Sequence, residues 1–388
     1  MEFIDLKSQQ RQIISKGVSL REDIDQKIKS VLDHGKFILG PEVNELEEKL
    51  AKFVGAKYCI GVSSGTDALL ISLMALGIKP GDEVITTPFS FFSTVETILL
   101  LRAKPIFVDI DESTYNLDPK LIEQAITKKT KAIVAVSLYG QPANFKEINK
   151  IGKKYKIAII EDGAQSFGST HHKLKSCGLT TIGTTSFFPS KPLGCYGDGG
   201  ACFTNDEELA KNIREISIHG QNKRYSHNQI GVNGRLDTIQ AVILLAKLDI
   251  FDFEVESRRT IGSRYTLRLK ELGINKTPFI SPENTSVYAQ YTIQVSNREK
   301  VIDNMRRRGI PTSVHYPSLL SEQNALRNSN SNKNNFLHNI FSKNLYKNFD
   351  IKNAKKVSRN VLSLPMHPYL SEENQDLVIN SLIESINQ

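Results

Sequence analysis

From residue 57 onward, short apolar runs alternate with amphipathic stretches. KYCIGV (57–62), EVITT (83–87), PIFVDI (105–110), KAIVAVS (131–137), IAIIED (157–162), TTSFF (184–188) and ACFT (201–204) have the length and content of buried strands. Between the first two, GTDALLISLMALG (65–77) places Leu69, Leu70, Leu73, Met74 and Leu76 at helical spacing and stops at Gly77. Further helices are predicted near 92–101, 119–127 and 144–155. Near-continuous apolar strands separated by helices predict an α/β fold with a mainly parallel central sheet covered on both faces. Past about residue 250 the pattern changes. Strand-like YTIQVS (291–296) and helix-like REKVIDNMRRRG (298–309) predict a smaller α/β domain. The expected division is 1–248 for the large domain and 249–388 for the small one. Within the latter, RNSNSNKNNFLHNIFSKNL (326–344), rich in Asn, Ser and Lys, reads as a mobile surface insertion.

Composition narrows the function classes. The chain has 388 residues, 39% hydrophobic and 24% charged, as an ordinary globular protein of two domains does. No apolar run approaches a membrane span. MEFIDLKSQQ carries Glu2, Asp5 and Lys7 where an export signal needs an apolar core, so the chain is read as untargeted and cytoplasmic. Cys59, Cys177, Cys195 and Cys202 form no CxxC pair and are read as reduced thiols, with no metal site. The net charge of +8 is spread along the chain. Its densest run, Arg306-Arg307-Arg308, ends a predicted helix without interleaved aromatics, which argues for a solvated helix end over a nucleic-acid groove. Diffuse positive charge also suits an anionic substrate.

In such sheets ligands collect at the carboxyl ends of the strands. Three motifs fall there. SSGTDALL runs a small-residue loop into a helix, offering free N–H groups and a positive dipole end to a phosphate; alone it also reads as a plain cap by Ser64 or Thr66. It lacks the GxxxxGK[ST] spacing of a P-loop. IAIIEDGAQS ends a buried strand in Glu161 and Asp162, whose side chains face opposite ways. One carboxylate there suits a cationic ring nitrogen; a helix cap or a metal ligand is the other reading, and no His or second acid at ligand spacing supports the metal. In FFPSKPLGCYGDGG, Pro192 holds Lys191 in extended backbone while Gly194, Gly197, Gly199 and Gly200 permit tight turns. A desolvated lysine on a rigid loop is a nucleophile for an aldehyde, giving a Schiff base. An aldehyde that also needs a phosphate seat, an aromatic stacking partner and a carboxylate for its ring nitrogen is pyridoxal 5'-phosphate.

The chain resembles the DegT/DnrJ/EryC1/StrS nucleotide-sugar aminotransferases. The resemblance runs through FIDLKSQQ (3–10), FILGPEVNELEEKLAKFVGAKYCIGVSSGTDAL (37–69) and GDEVITTPFSFFSTVE (81–96). It continues in EDGAQSFG (161–168), SFFPSKPLGCYGDGGA (186–201), NGRLDTIQA (233–241), VHYP (314–317) and VLSLPMHPYLS (361–371). It implies the aspartate aminotransferase-type fold (fold type I). It implies that Lys191 forms the Schiff base and moves protons, that Asp162 pairs with the pyridine nitrogen, and that Gln165 bonds the ring's 3-oxygen. Phe91 would stack on the ring, with Phe89 and Phe92 left to the core. Gly65, Thr66 and Ser186 would hold the phosphate, and Asn233 would reach the phosphate of a neighbouring subunit in a homodimer. Arg235 would meet the substrate's anionic groups. His315 and Tyr316 would contact the sugar nucleotide, also across the interface.

The stretch FFPSKPLGCYGDGGA (187–201) is most similar to members that aminate UDP-2-acetamido-2-deoxy-3-oxo-glucuronic acid for bacterial surface polysaccharide, with L-glutamate as the expected donor; members acting on 4-keto sugars usually depart from the GDGGA ending. Ser318-Leu319-Leu320 departs from the proline and histidine that often follow HYP in the family. The alternatives are the same chemistry on another nucleotide keto sugar, such as a dTDP-3-keto-6-deoxyhexose or a 4-keto sugar, and a non-catalytic pyridoxal-phosphate-binding regulator. A family dehydratase, which carries histidine in place of the lysine, is argued against by Lys191.

Overall fold

Seven strands form one sheet in the computed structural model of the chain, which describes residues 1–15, 17–327 and 350–387. In chain order they are β1 (Tyr58–Val62), β2 (Glu83–Thr86), β3 (Lys104–Phe107), β4 (Thr130–Val136), β5 (Ala158–Asp162), β6 (Ile182–Ser186) and β7 (Gly200–Thr204). Across the sheet the order is β1-β7-β6-β5-β4-β2-β3. β7 runs antiparallel to both neighbours, and the remaining pairs are parallel. The mainly parallel α/β architecture read from the sequence is therefore present.

The alternation of side chains along each strand feeds two cores. Val84, Val134 and Ile160 point to one face, where they meet Leu69, Leu73, Ile98 and Ile213. Their neighbours Ile85, Ile133 and Ile159 point to the other, against Phe145, Ile148 and Ile151. The principal helices are α1 (Leu20–His34), α2 (Pro41–Val54), α3 (Gly65–Ala75), α4 (Ser93–Leu100), α5 (Phe145–Tyr155), α6 (Glu207–Ser217), α7 (Thr238–Glu271), α8 (Arg298–Arg307), α9 (Lys352–Asn360) and α10 (Glu372–Asn387). The helix expected near 119–127 is one short turn, Pro119–Ile122, followed by a 3₁₀ turn at Glu123–Ala125.

Past the sheet, β8 (Tyr291–Gln294) pairs antiparallel with β9 (Val361–Leu364), and Tyr265, Tyr291, Met305, Leu364 and Leu382 form a second core. The expected boundary between 248 and 249 falls inside α7, 34 residues without a Pro. Phe251 and Val255 still pack in the large core, whereas Ile261, Tyr265 and Leu269 pack in the second. The change of core lies between Val255 and Ile261, and one rigid helix serves both. The arginine run at the end of α8 is exposed, with Arg306 paired to Asp303 and Arg308 to Glu384. The insertion expected at 326–344 lies outside the described residues, apart from the first two, which close a short helix (Asn324–Arg327). Among the described residues no helix is long and apolar enough to cross a membrane.

Gly183 in β6 backs onto the loop at Cys177, where an added Cβ would come within 1.9 Å of the Cys177 carbonyl oxygen. Backbone cannot yield there as a flexible side chain could. Gly183→Ala is expected to cost about 1–3 kcal/mol or more of stability, read as a lower midpoint in urea. An unchanged midpoint would show that this loop is not packed as described.

Candidate active site

The carboxyl ends of β1, β5 and β6 and the first turn of α3 meet at one edge of the sheet. The first two residues of α3, Gly65 and Thr66, have N–H groups with no carbonyl four residues back within the helix. Ser64 is the cap, its hydroxyl accepting from Asp67 N–H at 3.0 Å. Ser64 is therefore the cap that the plain-cap reading of SSGTDALL named, and the cap does not use the two leading N–H groups. The turn is pressed against β6: a Cβ at Gly65 would stand 2.6 Å from Ser186 Cβ, and one at Gly200 would stand 2.5 Å from the Ser64 carbonyl oxygen. Glycine at 65 lets the first turn of α3 approach Ser186 this closely.

Strand alternation separates the two acids of β5. Glu161 is fully buried and accepts from the Ser137 hydroxyl at 2.9 Å, the Ser176 hydroxyl at 2.6 Å and Cys177 N–H at 2.8 Å. It is a structural clamp on the 176–177 loop. Asp162 faces the other way, with the Thr94 hydroxyl at 3.1 Å and Ala164 N–H at 3.3 Å. Burial raises its carboxyl, opposed by the charge of Lys191 and these two donors.

Lys191 follows a tight turn in which its N–H donates to the Phe188 carbonyl at 2.8 Å. Burial pulls its amine below the ordinary lysine range, and the charge of Asp162 acts against this. Among the described residues its side chain has no hydrogen-bond or ion-pair partner. An amine and a carboxylate thus share a desolvated space without closing a salt bridge.

A chain of bonds builds the opposite wall. Gln165 accepts from Tyr139 N–H at 2.8 Å and donates through Nε2 to the Tyr316 hydroxyl at 3.1 Å. Tyr139 donates its hydroxyl to the His315 carbonyl, and His315 Nδ1 lies 2.9 Å from the Ser363 hydroxyl of β9. Burial, with the Lys191 charge, lowers His315 to about 4, so its ring is neutral at pH 7. Phe91 is exposed, 6.3 Å from the Tyr316 ring between centroids. Phe89 is fully buried and Phe92 partly so, as their core assignment anticipated. Leu319 and Leu320 are buried, and Leu320 N–H donates to the Pro88 carbonyl at 2.8 Å, so the departure after HYP anchors this wall.

One expectation is corrected here. His315 and Tyr316 were expected to act across a subunit interface; they lie beside Gln165, Asp162 and Lys191 of their own chain, because β9 and the second core carry them there. Asn233 and Arg235 are not brought into contact with this group. Asn233 is exposed and pairs by its backbone with Ile218. Arg235 pairs by its backbone with Val62 at the end of β1, and its buried Nε has no hydrogen-bond partner among the described residues. Thr94 and Tyr139 escaped the sequence reading. Thr94 sits in the quoted FFSTVE, where helical spacing from Ser90 was its only signal. Tyr139, in a left-handed turn at φ 58°, gave none.

These groups fit pyridoxal phosphate on three observations: a helix start pressed so closely on Ser186 that only glycine fits at 65, a buried carboxylate with unused accepting capacity, and a desolvated amine without a partner among the described residues. Glu161 supplies a contrast. Burial lifts its carboxyl from the ordinary 4.5 to about 7 against its three hydrogen bonds. The folded state therefore holds a proton that the unfolded state releases. Its contribution to stability is full below pH 4.5 and shrinks by roughly 3 kcal/mol as pH rises through 7. Glu161→Gln, which does not titrate, is expected to flatten stability between pH 5 and 8 in urea titrations; an unaltered slope contradicts this.

The model of the DegT/DnrJ/EryC1/StrS aminotransferase family matches residues 18–383. The chain is 52% identical to the UDP-2-acetamido-2-deoxy-3-oxo-D-glucuronate aminotransferase of Pseudomonas aeruginosa, over 98% of this chain and 99% of that one. A family aminotransferase from Brucella abortus superposes with a TM-score of 0.89 at 36% identity, covering 100% of both chains. NtdA of Bacillus subtilis, solved with the bound cofactor PMP, superposes with a TM-score of 0.85 at 34% identity, over 95% of this chain and 82% of that one. The chain belongs to the DegT/DnrJ/EryC1/StrS family and is a pyridoxal-phosphate-dependent aminotransferase.

Proposed function

We propose that the enzyme moves an amino group from L-glutamate to the 3-keto carbon of UDP-2-acetamido-2-deoxy-3-oxo-glucuronic acid, making a 3-amino sugar for surface polysaccharide such as O-antigen. The observation that carries the chemistry is the desolvated, unpaired amine of Lys191 in the field of buried Asp162. The choice of sugar is supported by 52% identity to the P. aeruginosa enzyme across nearly the full length of both chains. A nucleotide-sugar substrate and a chain without a spanning helix among the described residues fit work in the cytoplasm.

Each residue then has a task. Gly65 and Thr66 N–H groups with the Ser186 hydroxyl hold the cofactor phosphate at the start of α3. Gln165, fixed by Tyr139 and Tyr316, presents a donor towards the ring's oxygen. Phe91 covers the open face. Asp162, whose carboxyl is raised by burial and restrained by the Lys191 charge and its two donors, would pair with the ring nitrogen. When bound, pyridoxal phosphate supplies an electrophilic carbon and an electron sink for a carbanion. Lys191 Nζ, whose pKa burial lowers, would be the group that holds the cofactor aldehyde. The amine, once free, would carry a proton between the substrate carbon that bears nitrogen and the cofactor. Neutral His315 and the Tyr316 hydroxyl line the sugar side without adding charge.

The enzyme is proposed to be a homodimer with shared sites. Asn233 is exposed in its own chain, and apolar side chains flank it in sequence and along the edge: Phe37, Ile38 and Leu39 are 42–51% exposed, Tyr225 81% and Ile230 84%. Asn233 would complete the neighbour's phosphate seat, and Arg235 would meet a uronate or diphosphate.

Lys191→Ala is expected to abolish turnover, by at least a thousandfold, with the fold retained. Turnover within tenfold of wild type would remove Lys191 from the chemistry. Mixing Lys191→Ala chains with Asn233→Ala chains is expected to restore part of the activity, since one site in a mixed dimer then has both residues. Activity equal to the sum of the separate variants contradicts the shared site.

A further inference from the structure

Lys247 lies near the middle of α7 and is 1% exposed. Burying an ammonium is costly unless its donors are used. Among the described residues no carboxylate stands within ion-pair distance of it. Its Nζ instead donates to the Gly194 carbonyl at 2.6 Å and lies 4.3 Å above the Tyr196 ring. Gly194 is three residues beyond Lys191. Two helical turns earlier on the same face, Gln240 Oε1 accepts from Tyr196 N–H at 2.9 Å, and Gly197 packs on the Gln240 amide. Between these ties Cys195 is buried and donates its N–H to the Phe187 carbonyl at 2.8 Å. Gly194 is itself closely packed: a Cβ there would meet the Pro189 carbonyl oxygen at 2.6 Å. The loop bearing Lys191 is therefore fastened to the longest helix of the fold at two points, and one of them is a charge-assisted bond. A methionine would fill the same space without desolvating a charge. What the ammonium adds is the bond to Gly194.

We propose that Lys247 is a positioning residue for amino transfer, fixing through the Gly194 carbonyl the loop that aims the Lys191 amine. The proposal rests on the reading of Lys191 as the reacting amine. Burial draws Lys247 down to about 8, with the charge of Glu254 opposing, so the clamp is still an ammonium at pH 7. Misplacing a reacting group by about 1 Å is enough to cost on the order of a hundredfold in rate.

The test compares Lys247→Met, which keeps the bulk, with Lys247→Arg, which keeps the charged donor. Amide hydrogen exchange across residues 193–197 is followed in the cofactor-free protein. In the loaded protein, the single-turnover rate with L-glutamate and the visible circular dichroism of the cofactor are measured. Lys247→Met is expected to speed exchange of the segment, weaken the dichroism and slow single turnover by about tenfold to a hundredfold, with Lys247→Arg recovering most of all three. Unchanged exchange in Lys247→Met, or slowed turnover without faster exchange, overturns the proposal. If Lys247→Met does not fold, Lys247→Gln takes its place beside Lys247→Arg, with the same changes expected and the same two results overturning the proposal. Lys191→Ala run alongside separates the two claims: turnover by that variant sinks the role of Lys191, while the exchange data still decide whether Lys247 clamps the loop.

Discussion

The structure is organised around one unfavourable arrangement, a half-buried primary amine beside a buried carboxylate at the carboxyl edge of a mainly parallel sheet. Desolvation drives each towards its neutral form, lowering Lys191 and raising Asp162, and each charge partly restrains the other. The pair stops short of a salt bridge. A closed bridge would satisfy both groups and leave nothing for a ligand. An isolated amine and an isolated acid would both neutralise. The arrangement leaves an amine of lowered pKa and a carboxyl group that are both free to meet a ligand. The sheet supplies the setting, because strand ends and the start of α3 are the places where backbone donors already lack partners.

Glu161 shows how much depends on direction within a strand. It is adjacent to Asp162 and buried as deeply, yet pleating turns it to the opposite face, where two hydroxyls and an N–H saturate it. Adjacent residues of one type thus divide into a clamp and a reactive partner. The surrounding shell is built in the same way. Gln165 is held by Tyr139 on one side and Tyr316 on the other, so the wall of the pocket is set by bonds reaching from the sheet to the second core. α7 runs through both cores and underlies the Lys191 loop, so the two halves of the molecule and the reactive loop share one rigid support.

Much of this was legible in the sequence. The apolar runs marked all seven strands within a few residues, because strands buried on both faces exclude polar interruptions. The motif SSGTDALL announced its helix start, and Lys191, Asp162, Gln165, Ser186 and Gly65 converge at one edge as their strand-end positions implied. What stayed hidden was set by tertiary contact. Thr94 and Tyr139 bond to Asp162 and Gln165 from distant segments; Thr94 had only its helical spacing from Ser90 to mark it, and Tyr139 had nothing local. His315 and Tyr316 were placed in the wrong subunit by the resemblance, since only the packing of β9 against the second core shows which site they enter. The domain division missed α7 because its face changes partners midway without any Pro to mark the change.

The most direct test of the central claim is the visible spectrum of the protein loaded with pyridoxal phosphate, recorded alone, after L-glutamate, and after UDP-2-acetamido-2-deoxy-3-oxo-glucuronate. The account predicts a yellow absorbance band that bleaches with glutamate and returns with the keto sugar, as the amino group is taken up and then passed on. A band that ignores every amino donor, or no band at all, would contradict the reading of Lys191 and Asp162 as the pair that carries the amino transfer.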